Sequence, residues 1–257
     1  MKSCDPVRMP INIIKVDNSL DFQEKLLKKA DNIVDLTGFD KLRFCSQKSR
    51  LLEISNHLKK LPRGISFLGS SDFHHLSFSL ISNLPEKISL ILIDHHSDMY
   101  ETFPHLISCG SWLAELIKEG KIEKCIIVGV DAGDFAIEKY SLKESNLLFI
   151  TENEPEKLLI SKIASQLSRI ETPVYISIDK DVLHPQDAAT GWDQGTMSIA
   201  GLKRLICTIK NNAYVFAVDI CGEWMLPGDK ILLTNEDIWR NRLNEAANLE
   251  ILRALIS

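Results

Sequence analysis

The feature that most constrains this chain is residues 88–98, which read I-S-L-I-L-I-D-H-H-S-D. Six residues, nearly all apolar, lead directly into a segment with two aspartates and two histidines. An apolar run of this length, rich in Ile and Leu, is typical of a parallel strand covered on both faces, although a buried helix has the same apolar character. We therefore expect the chemistry of the protein at the carboxyl end of this strand.

The spacing of the polar residues after this run indicates a metal site. If the chain stays extended, Asp94, His96 and Asp98 project to the same side, roughly 6.6 to 7 Å apart along the backbone. His95 then points the other way. Carboxylates at a hydrophobic strand end are costly to keep charged unless a cation compensates for their burial. A divalent metal would supply that compensation.

Length, composition and charge exclude several other kinds of protein. The 257 residues suffice for one α/β domain, and no repeat or composition break divides them, so we expect a single domain over residues 1–257. The net charge of −5 argues against a nucleic-acid-binding protein. No segment has the apolar length of a signal peptide or a membrane span, which predicts a cytoplasmic protein.

Apolar runs alternate with helical periodicity along the chain. This alternation predicts an α/β fold in which helices cover both faces of an open, mostly parallel sheet. Polar clusters follow four of the predicted strands. Since ligands in open α/β sheets bind at the carboxyl ends of the strands, we expect these clusters to converge. The clusters are residues 72–75, 94–98, 179–181 and 219–223.

The third cluster repeats the spacing of the second, because two further aspartates follow a buried strand two positions apart. Four aspartates and two histidines would offer oxygen and imidazole ligands and four negative charges, which match two divalent cations. This donor set favours Mn²⁺ and permits Fe²⁺, Co²⁺ or Zn²⁺. Two metals close together can activate a water molecule for hydrolysis. The candidate ligands are Asp94, His96, Asp98, Asp179, Asp181 and an upstream histidine, His74 or His75.

The order of these blocks resembles the ureohydrolase superfamily of arginases, agmatinases and formimidoylglutamases. The resemblance spans about residues 65–223, and its blocks are G-S-S-D-F-H-H, D-H-H-S-D, S-C-G-S, S-I-D-K-D and D-I-C-G-E. It implies a three-layer αβα fold with an open, mostly parallel sheet, which metal-dependent deacetylases share. It also implies a binuclear Mn²⁺ centre, with two ions per subunit, and cleavage of an amidino or guanidino C–N bond by a metal-bridging hydroxide. Relatives are often trimers or hexamers, so a homo-oligomer is the assembly that the resemblance implies.

The resemblance implies a role for each candidate ligand. Asp94 and Asp179 would bridge the two metals. Asp98 and an upstream histidine would complete one coordination shell, whereas His96 and Asp181 would complete the other.

One departure from the family concerns the upstream histidine. In the family this histidine follows a Gly-Gly-Asp sequence directly, whereas here Phe73 separates Asp72 from His74. His74 is the preferred ligand, and His75 is the alternative.

Two candidate catalytic residues also depart from the family pattern. The family glutamate that meets the substrate's cationic group has a shifted equivalent here, because Gly222 precedes Glu223. Where arginases and agmatinases carry a histidine before glycine, thought to be a proton shuttle, this chain has Cys109. A cysteine with an ordinary pKa near 8.5 is a poorer shuttle at neutral pH. The candidate catalytic residues are Asp98, Glu223 and Cys109.

The expected activity is that of an arginase- or agmatinase-like amidinohydrolase acting on a small cationic guanidino or amidino compound. The loop after S-I-D-K-D is unlike that of the family, and its His184, Trp192, Asp193 and Gln194 could shape an unfamiliar pocket. Two alternatives remain open. One is a metal-dependent deacetylase of the same fold, and the other is a non-catalytic metal-binding or ligand-binding relative, which Cys109 and the altered loop favour.

Overall fold

The computed structural model of the protein describes residues 8–140, 146–228 and 232–257. The strands in chain order are β1 (Ile11–Lys15), β2 (Asn32–Asp35), β3 (Cys45–Gln47), β4 (Ile65–Phe67), β5 (Ile88–Ile93), β6 (Leu106–Ser108), β7 (Ile122–Val130), β8 (Leu147–Thr151), β9 (Val174–Asp179) and β10 (Val215–Cys221). The helices are α1 (Glu24–Leu27), α2 (Lys48–Leu58), α3 (Leu76–Ile81), α4 (Trp112–Lys118), α5 (Phe135–Tyr140), α6 (Glu156–Leu167), α7 (Ile199–Asn212) and α8 (Asn235–Ile256).

Eight of the described strands form one sheet in the order β2-β1-β4-β10-β9-β5-β7-β8, and each neighbouring pair is parallel. Both faces of the sheet are covered. In β5, Ile91 and Ile93 pack in one apolar cluster with α1, α6, α7 and α8, whereas Leu90 and Leu92 pack in another with α2 to α5. Successive side chains of a strand point to opposite faces, which explains why a continuous apolar run was required. The three-layer αβα fold expected from the sequence is confirmed.

The sheet order places the four polar clusters side by side. β4, β10, β9 and β5 are consecutive neighbours, although they come from distant parts of the chain. Each ends on the segment that the sequence singled out, and since the strands are parallel, these segments meet at one edge of the sheet. The edge where ligands were expected therefore carries the aspartates and histidines together.

Some local elements differ from the sequence-based expectation. The apolar spacing of Phe22, Leu26 and Leu27 predicts a helix from about Leu20 to Ala30, but α1 covers only Glu24–Leu27. Asp17 Oδ1 accepts a hydrogen bond from the Ser19 backbone at 2.9 Å, so a side-chain-capped turn replaces the first helical turn. The short antiparallel pair of β3 and β6 was not expected. Across the described ranges, no helix combines the length and apolarity that a membrane crossing needs.

Candidate metal centre

His74 lies at the centre of the polar edge, just after the 3₁₀ turn Ser71–Phe73 that follows β4. Its Nδ1 atom is 2.9 Å from Asp98 Oδ2, 3.2 Å from Asp94 Oδ2 and 3.5 Å from Asp179 Oδ2. All four side chains are at least 94% buried. One imidazole nitrogen thus faces three carboxylates that come from two different strands.

His96 occupies the outer side of the same cluster. Its Nδ1 is 3.0 Å from Asp181 Oδ2 and 3.5 Å from Asp94 Oδ1. The structure therefore brings all six predicted ligands together. Two sets of three ligand atoms that share Asp94 lie within 4.8 Å of one another, namely His74, Asp94 and Asp98, and Asp94, His96 and Asp181. A third set combines His74 and Asp179 with the thiol of Cys221.

The convergence does not arise from an extended chain, as the spacing argument assumed. β5 ends at Ile93, the chain then bends, and Asp98 adopts φ of +52°. This left-handed conformation is uncommon outside glycine, although aspartate tolerates it better than most residues. This bend, and not the alternating side-chain directions of an extended strand, brings the Asp98 side chain back toward His74. The expectation of an extended D-x-H-x-D segment was wrong, but the same three side chains still meet.

A chain of hydrogen bonds orients His74 from behind. Its Nε2 is 2.9 Å from Ser177 Oγ, and Ser177 donates to Asp219 Oδ1 at 2.6 Å. Tyr175 donates to the other Asp219 oxygen at 2.8 Å. Partners of this kind fix the orientation of a ligand imidazole and raise its basicity. The sequence analysis gave Ser177 no role, although its place two residues before Asp179 on a buried strand was the available signal.

Other hydrogen bonds hold the carboxylates. The indole N–H of the buried Trp112 donates to Asp98 Oδ2, and Ser71 Oγ donates to Asp179 Oδ1 at 2.8 Å. Cys221 Sγ lies 3.1 Å from Asp179 Oδ2. Trp112 and Ser71 were not expected to hold these carboxylates, because a tryptophan or serine next to a motif is ordinarily a packing or turn residue.

The electrostatics of the cluster show strongly opposed charges. Burial and the nearby charge of Asp94 raise the pKa of Asp98 to about 7. Burial also raises the pKa of Asp181 well above its ordinary range. Burial opposes charge on His96 as well, but its hydrogen bonds to Asp181 and Asp94 raise the pKa of this ring to about 12. The buried carboxylates therefore favour positive charge next to them. In the metal-free protein the protonated imidazoles supply it, and a bound cation would supply it in their place.

The donor atoms fit divalent metal ions. Asp94 Oδ2 is buried and has His74 Nδ1 3.2 Å away, but within the described residues it accepts no hydrogen bond of good geometry. A buried carboxylate oxygen without a hydrogen bond costs free energy that a cation would recover. The donors are carboxylate oxygens and imidazole nitrogens, which suit Mn²⁺ and also accept Fe²⁺, Co²⁺ or Zn²⁺.

Glu223 lies away from this cluster, contrary to the expectation that it meets the substrate. Gly222 adopts φ of +89°, and a Cβ atom there would lie 2.6 Å from both Asp179 Oδ1 and the Lys180 backbone nitrogen. Only glycine fits this turn, which directs Glu223 into the interior. Its carboxylate is 1% exposed, forms an ion pair with Lys180 and does not line the cavity above the ligands. Glu223 is therefore not placed to contact a substrate.

Other candidate residues take distinct positions. Cys109 lines the cavity, and burial together with the Asp98 charge raises the pKa of its thiol to about 12. His75 is fully buried, belongs to neither set of ligands, and has its pKa lowered to about 3 by burial and by the neighbouring His74. The structure thus turns His74 and not His75 toward the carboxylates. Trp192 also lines the cavity, as the unusual loop suggested.

Comparison with known proteins agrees with this geometry. The sequence model of the arginase family matches residues 73–220, which is more than half of the chain. The chain belongs to the arginase family. A relative from Thermotoga maritima, described as an uncharacterized protein, is 29% identical over 238 residues that cover 93% of this chain and 86% of that protein. This relative extends the likeness over nearly the whole chain.

Solved structures of arginase-family enzymes share the fold. Formimidoylglutamase from Bacillus subtilis superposes with a TM-score of 0.71 at 17% identity, covering 99% of this chain and 89% of that one. Arginase from Bacillus subtilis gives 0.65 at 17%, covering 97% and 98%. The agmatine ureohydrolase of Thermoplasma volcanium gives 0.66 at 14%, covering 96% and 90%. At these identities the likeness establishes the arginase fold and not the substrate.

Proposed function

We propose that this arginase-family protein is a binuclear-metal hydrolase that cleaves a C–N bond of a guanidino or amidino compound, with Mn²⁺ as the preferred metal. The observation that supports this most is the convergence of two imidazoles and four carboxylates at the floor of one cavity. Three separate strands, β4, β5 and β9, contribute these groups, and burial makes their charges costly unless cations are bound. A purely structural role does not account for so many buried acids at a cavity.

Each metal ion would have two ligands of its own, and the two ions would share two carboxylates. His74 and Asp98 would hold one ion, and His96 and Asp181 the other, and Asp94 would be shared between them. Asp179, whose Oδ2 faces His74, would be the second shared carboxylate. When bound, the two ions would supply Lewis acidity that lowers the pKa of a water molecule near neutral pH.

Asp98 is the residue best suited to exchange a proton with the reacting groups. Its Oδ2 atom lies 2.9 Å from His74 Nδ1 at the floor of the cavity, within reach of a group that reacts there. Its carboxylate lines the cavity, and Trp112 holds the Oδ2 atom by an N–H hydrogen bond. The fixed carboxylate would accept a proton as water attacks and return it to the departing amine. Cys109 remains a neutral thiol in this scheme, because its pKa is about 12.

The proposed substrate is cationic. Within the described residues, the cavity is lined by acidic side chains and by no lysine or arginine. A guanidinium or amidinium group is planar and carries N–H donors that match carboxylate oxygens. With the floor carboxylates taken up by metal ions, Glu101 is the lining acid left to face such a group, and the absence of lysine and arginine from the described lining residues disfavours an anionic substrate.

The decisive experiment combines metal analysis with a substrate panel. Purified protein is loaded with Mn²⁺, the metal content is measured by elemental analysis, and guanidino, amidino and acetylated amine compounds are assayed for urea, ammonia, formamide or acetate. We expect two ions per chain and release of urea, ammonia or formamide. Two bound ions without turnover on any compound would contradict the hydrolase and favour a metal-binding protein. One Zn²⁺ per chain with acetate release would favour the deacetylase, although His75 does not join His74 as a tandem ligand pair here.

A further inference from the structure

The cavity above the ligands has aromatic walls. It encloses about 690 Å³, and its floor is formed by the proposed metal ligands. Four aromatic side chains stand around it, with exposed fractions of 40% to 80%, namely Phe44, Tyr100, Phe103 and Trp192. Large apolar side chains are seldom left this exposed around one cavity without a ligand that covers them.

Two of these rings connect the floor to the mouth of the cavity. The Trp192 ring packs edge-to-face against the His96 ring, with 5.9 Å between centroids. On its other side it packs edge-to-face against Phe44, with 6.3 Å between centroids. A molecule that reaches the metal ligands with one end therefore lies beside the Trp192 and Phe44 rings with its remainder.

Asp72, which is not a proposed metal ligand, positions the Trp192 and Phe44 rings that form one wall of the cavity. Its Oδ1 accepts the Trp192 indole N–H at 2.8 Å, and its Oδ2 accepts from Arg43 Nε at 2.8 Å. The Arg43 guanidinium lies 4.6 Å from the centroid of the Phe44 ring. Asp72 is only 6% exposed, whereas Arg43 and Trp192 are 55% and 40% exposed, so the carboxylate is the buried partner of both hydrogen bonds. One carboxylate thus positions both rings.

Phe44 is also held in a strained backbone conformation. Its φ is +65°, which is rare for a bulky residue. Its backbone N–H donates to the Asp72 carbonyl at 2.9 Å, and its carbonyl accepts from the Cys109 N–H at 2.8 Å. Strain of this kind persists where surrounding contacts impose it, and it occurs most often at functional sites. Here it presents the ring at the mouth of the cavity.

The described walls of the cavity carry no cationic side chain that could pair with the α-carboxylate of an amino-acid substrate. Among the described residues that line the cavity, the side chains beyond the floor are aromatic, aliphatic, hydroxyl or thiol groups and the acid Glu101. A substrate with an α-carboxylate would have to bury that charge beside aromatic rings, and the Arg43 guanidinium next to Phe44 is already paired with Asp72, so this is unfavourable. An apolar substituent instead gains free energy by leaving water at the same place.

We infer that the site is selective for N-substituted guanidines whose substituent is apolar or aromatic, over guanidines that end in an amino-acid group. This rests on the proposed hydrolase function and specifies its substrate class. Water adds to the guanidinium carbon, the bond from that carbon to the substituted nitrogen breaks, and that nitrogen takes a proton. R-NH-C(NH₂)₂⁺ and water thereby give R-NH₃⁺ and urea, with no other reactant.

The test compares matched substrates on the Mn²⁺-loaded protein. N-benzylguanidine and N-hexylguanidine are the apolar probes, and arginine and agmatine are the polar ones, with urea release as the kinetic readout and calorimetry as the binding readout. We expect kcat/KM for benzylguanidine to exceed that for arginine by at least about 10-fold. Trp192→Ala should lower kcat/KM for benzylguanidine by about 10-fold or more. The same substitution should change kcat/KM for methylguanidine much less, because methylguanidine is too small to contact Trp192.

Two further variants distinguish a specific effect on the aromatic wall of the cavity from a general loss of folding or activity. Trp239→Ala removes a tryptophan on α8 that is 57% exposed and does not line the cavity, so both activities should be unchanged. Asp72→Asn should act like Trp192→Ala in direction, because it weakens the hydrogen bonds that hold both rings. Failure of every guanidine would contradict the proposed hydrolase itself. Turnover with arginine preferred, or equal loss for benzylguanidine and methylguanidine in Trp192→Ala, would overturn the inference while leaving the hydrolase intact.

Discussion

Lys180 Nζ and Glu223 Oε1 form an ion pair in the interior, where their side chains are 0% and 1% exposed. Gln23 donates to Glu223 Oε2 and Asn248 to Oε1, both at 2.7 Å, so the carboxylate is fully engaged. Lys180 lies between Asp179 and Asp181 in the sequence. The ion pair therefore anchors the turn from which two proposed metal ligands project, from the side facing away from the cavity.

Removing the charge of Glu223 should destabilise the fold and not alter substrate contact. Glu223→Gln leaves the Lys180 ammonium buried without its counter-ion, and we expect the free energy of unfolding to fall by about 3–5 kcal/mol. Chemical denaturation measures this. The matched control is the double variant Lys180→Met with Glu223→Leu, which removes both charges and should retain most of the stability. A Glu223→Gln protein of unchanged stability but raised KM would instead restore Glu223 as a substrate contact.

The two adjacent histidines should differ sharply in their effect on metal content. His74→Asn removes the imidazole that faces Asp94 and Asp98, so bound Mn²⁺ per chain should fall by at least one ion. His75→Phe replaces a buried, uncharged ring that belongs to neither ligand set, so metal content should be unchanged. Elemental analysis after dialysis gives both numbers. Loss of metal in His75→Phe with retention in His74→Asn would reverse the assignment.

Trp112→Phe should weaken metal binding without emptying the site. The phenyl ring keeps the packing against His74, whose ring centroid is 5.0 Å from that of Trp112, but it cannot donate to Asp98. Loss of such a supporting hydrogen bond typically lowers metal affinity by about 10- to 100-fold. Competition with a fluorescent chelator measures the change. An affinity within about twofold of the wild type would show that this hydrogen bond does not position Asp98.

The metal-free and metal-loaded proteins should respond to pH in opposite directions. In the folded protein burial raises the pKa of Asp98 to about 7, so the unfolded chain loses that proton first as pH rises. The His96 ring, despite its burial, has its pKa raised to about 12 by Asp181, and its stabilising contribution likewise diminishes above its unfolded pKa of about 6.5. The Tm of EDTA-treated protein should therefore fall between about pH 5 and pH 8.

With excess Mn²⁺ the opposite trend is expected, because metal ions compete with protons for the same ligands and bind more tightly as pH rises. Differential scanning calorimetry at several pH values in both states tests this pair of trends. Parallel curves with and without Mn²⁺ would show that no metal binds at the carboxylates.

Cys109 should be dispensable for proton transfer. Burial and Asp98 raise the pKa of its thiol to about 12, so it stays protonated at neutral pH and cannot act as a base. Cys109→Ala should change kcat by less than about threefold, whereas loss of a true general acid or base costs about 100-fold or more. The pH–rate profile for benzylguanidine is the informative measurement. A limb of that profile that disappears in Cys109→Ala would assign the thiol a direct role.

The sequence alone predicted the sheet and the proposed ligands, because both follow from local patterns. Apolar runs such as Ile88–Ile93 are required wherever a strand is covered on both faces. The paired spacing of Asp94 with Asp98 and of Asp179 with Asp181 marks where carboxylates follow such strands. Parallel strands end at one edge, so the meeting of these segments follows from the fold class without knowledge of any contact.

Only the tertiary structure decided the rest, because those features join residues far apart in the chain or depend on one backbone angle. The positive φ of Gly222 sends Glu223 to Lys180, although its position in the motif favoured the cavity. The choice of His74 over His75 depends on which ring the 3₁₀ turn directs toward Asp98. The Trp192–Asp72 hydrogen bond spans 120 positions. Local sequence carries no record of such contacts, since they form only when packing brings the segments together.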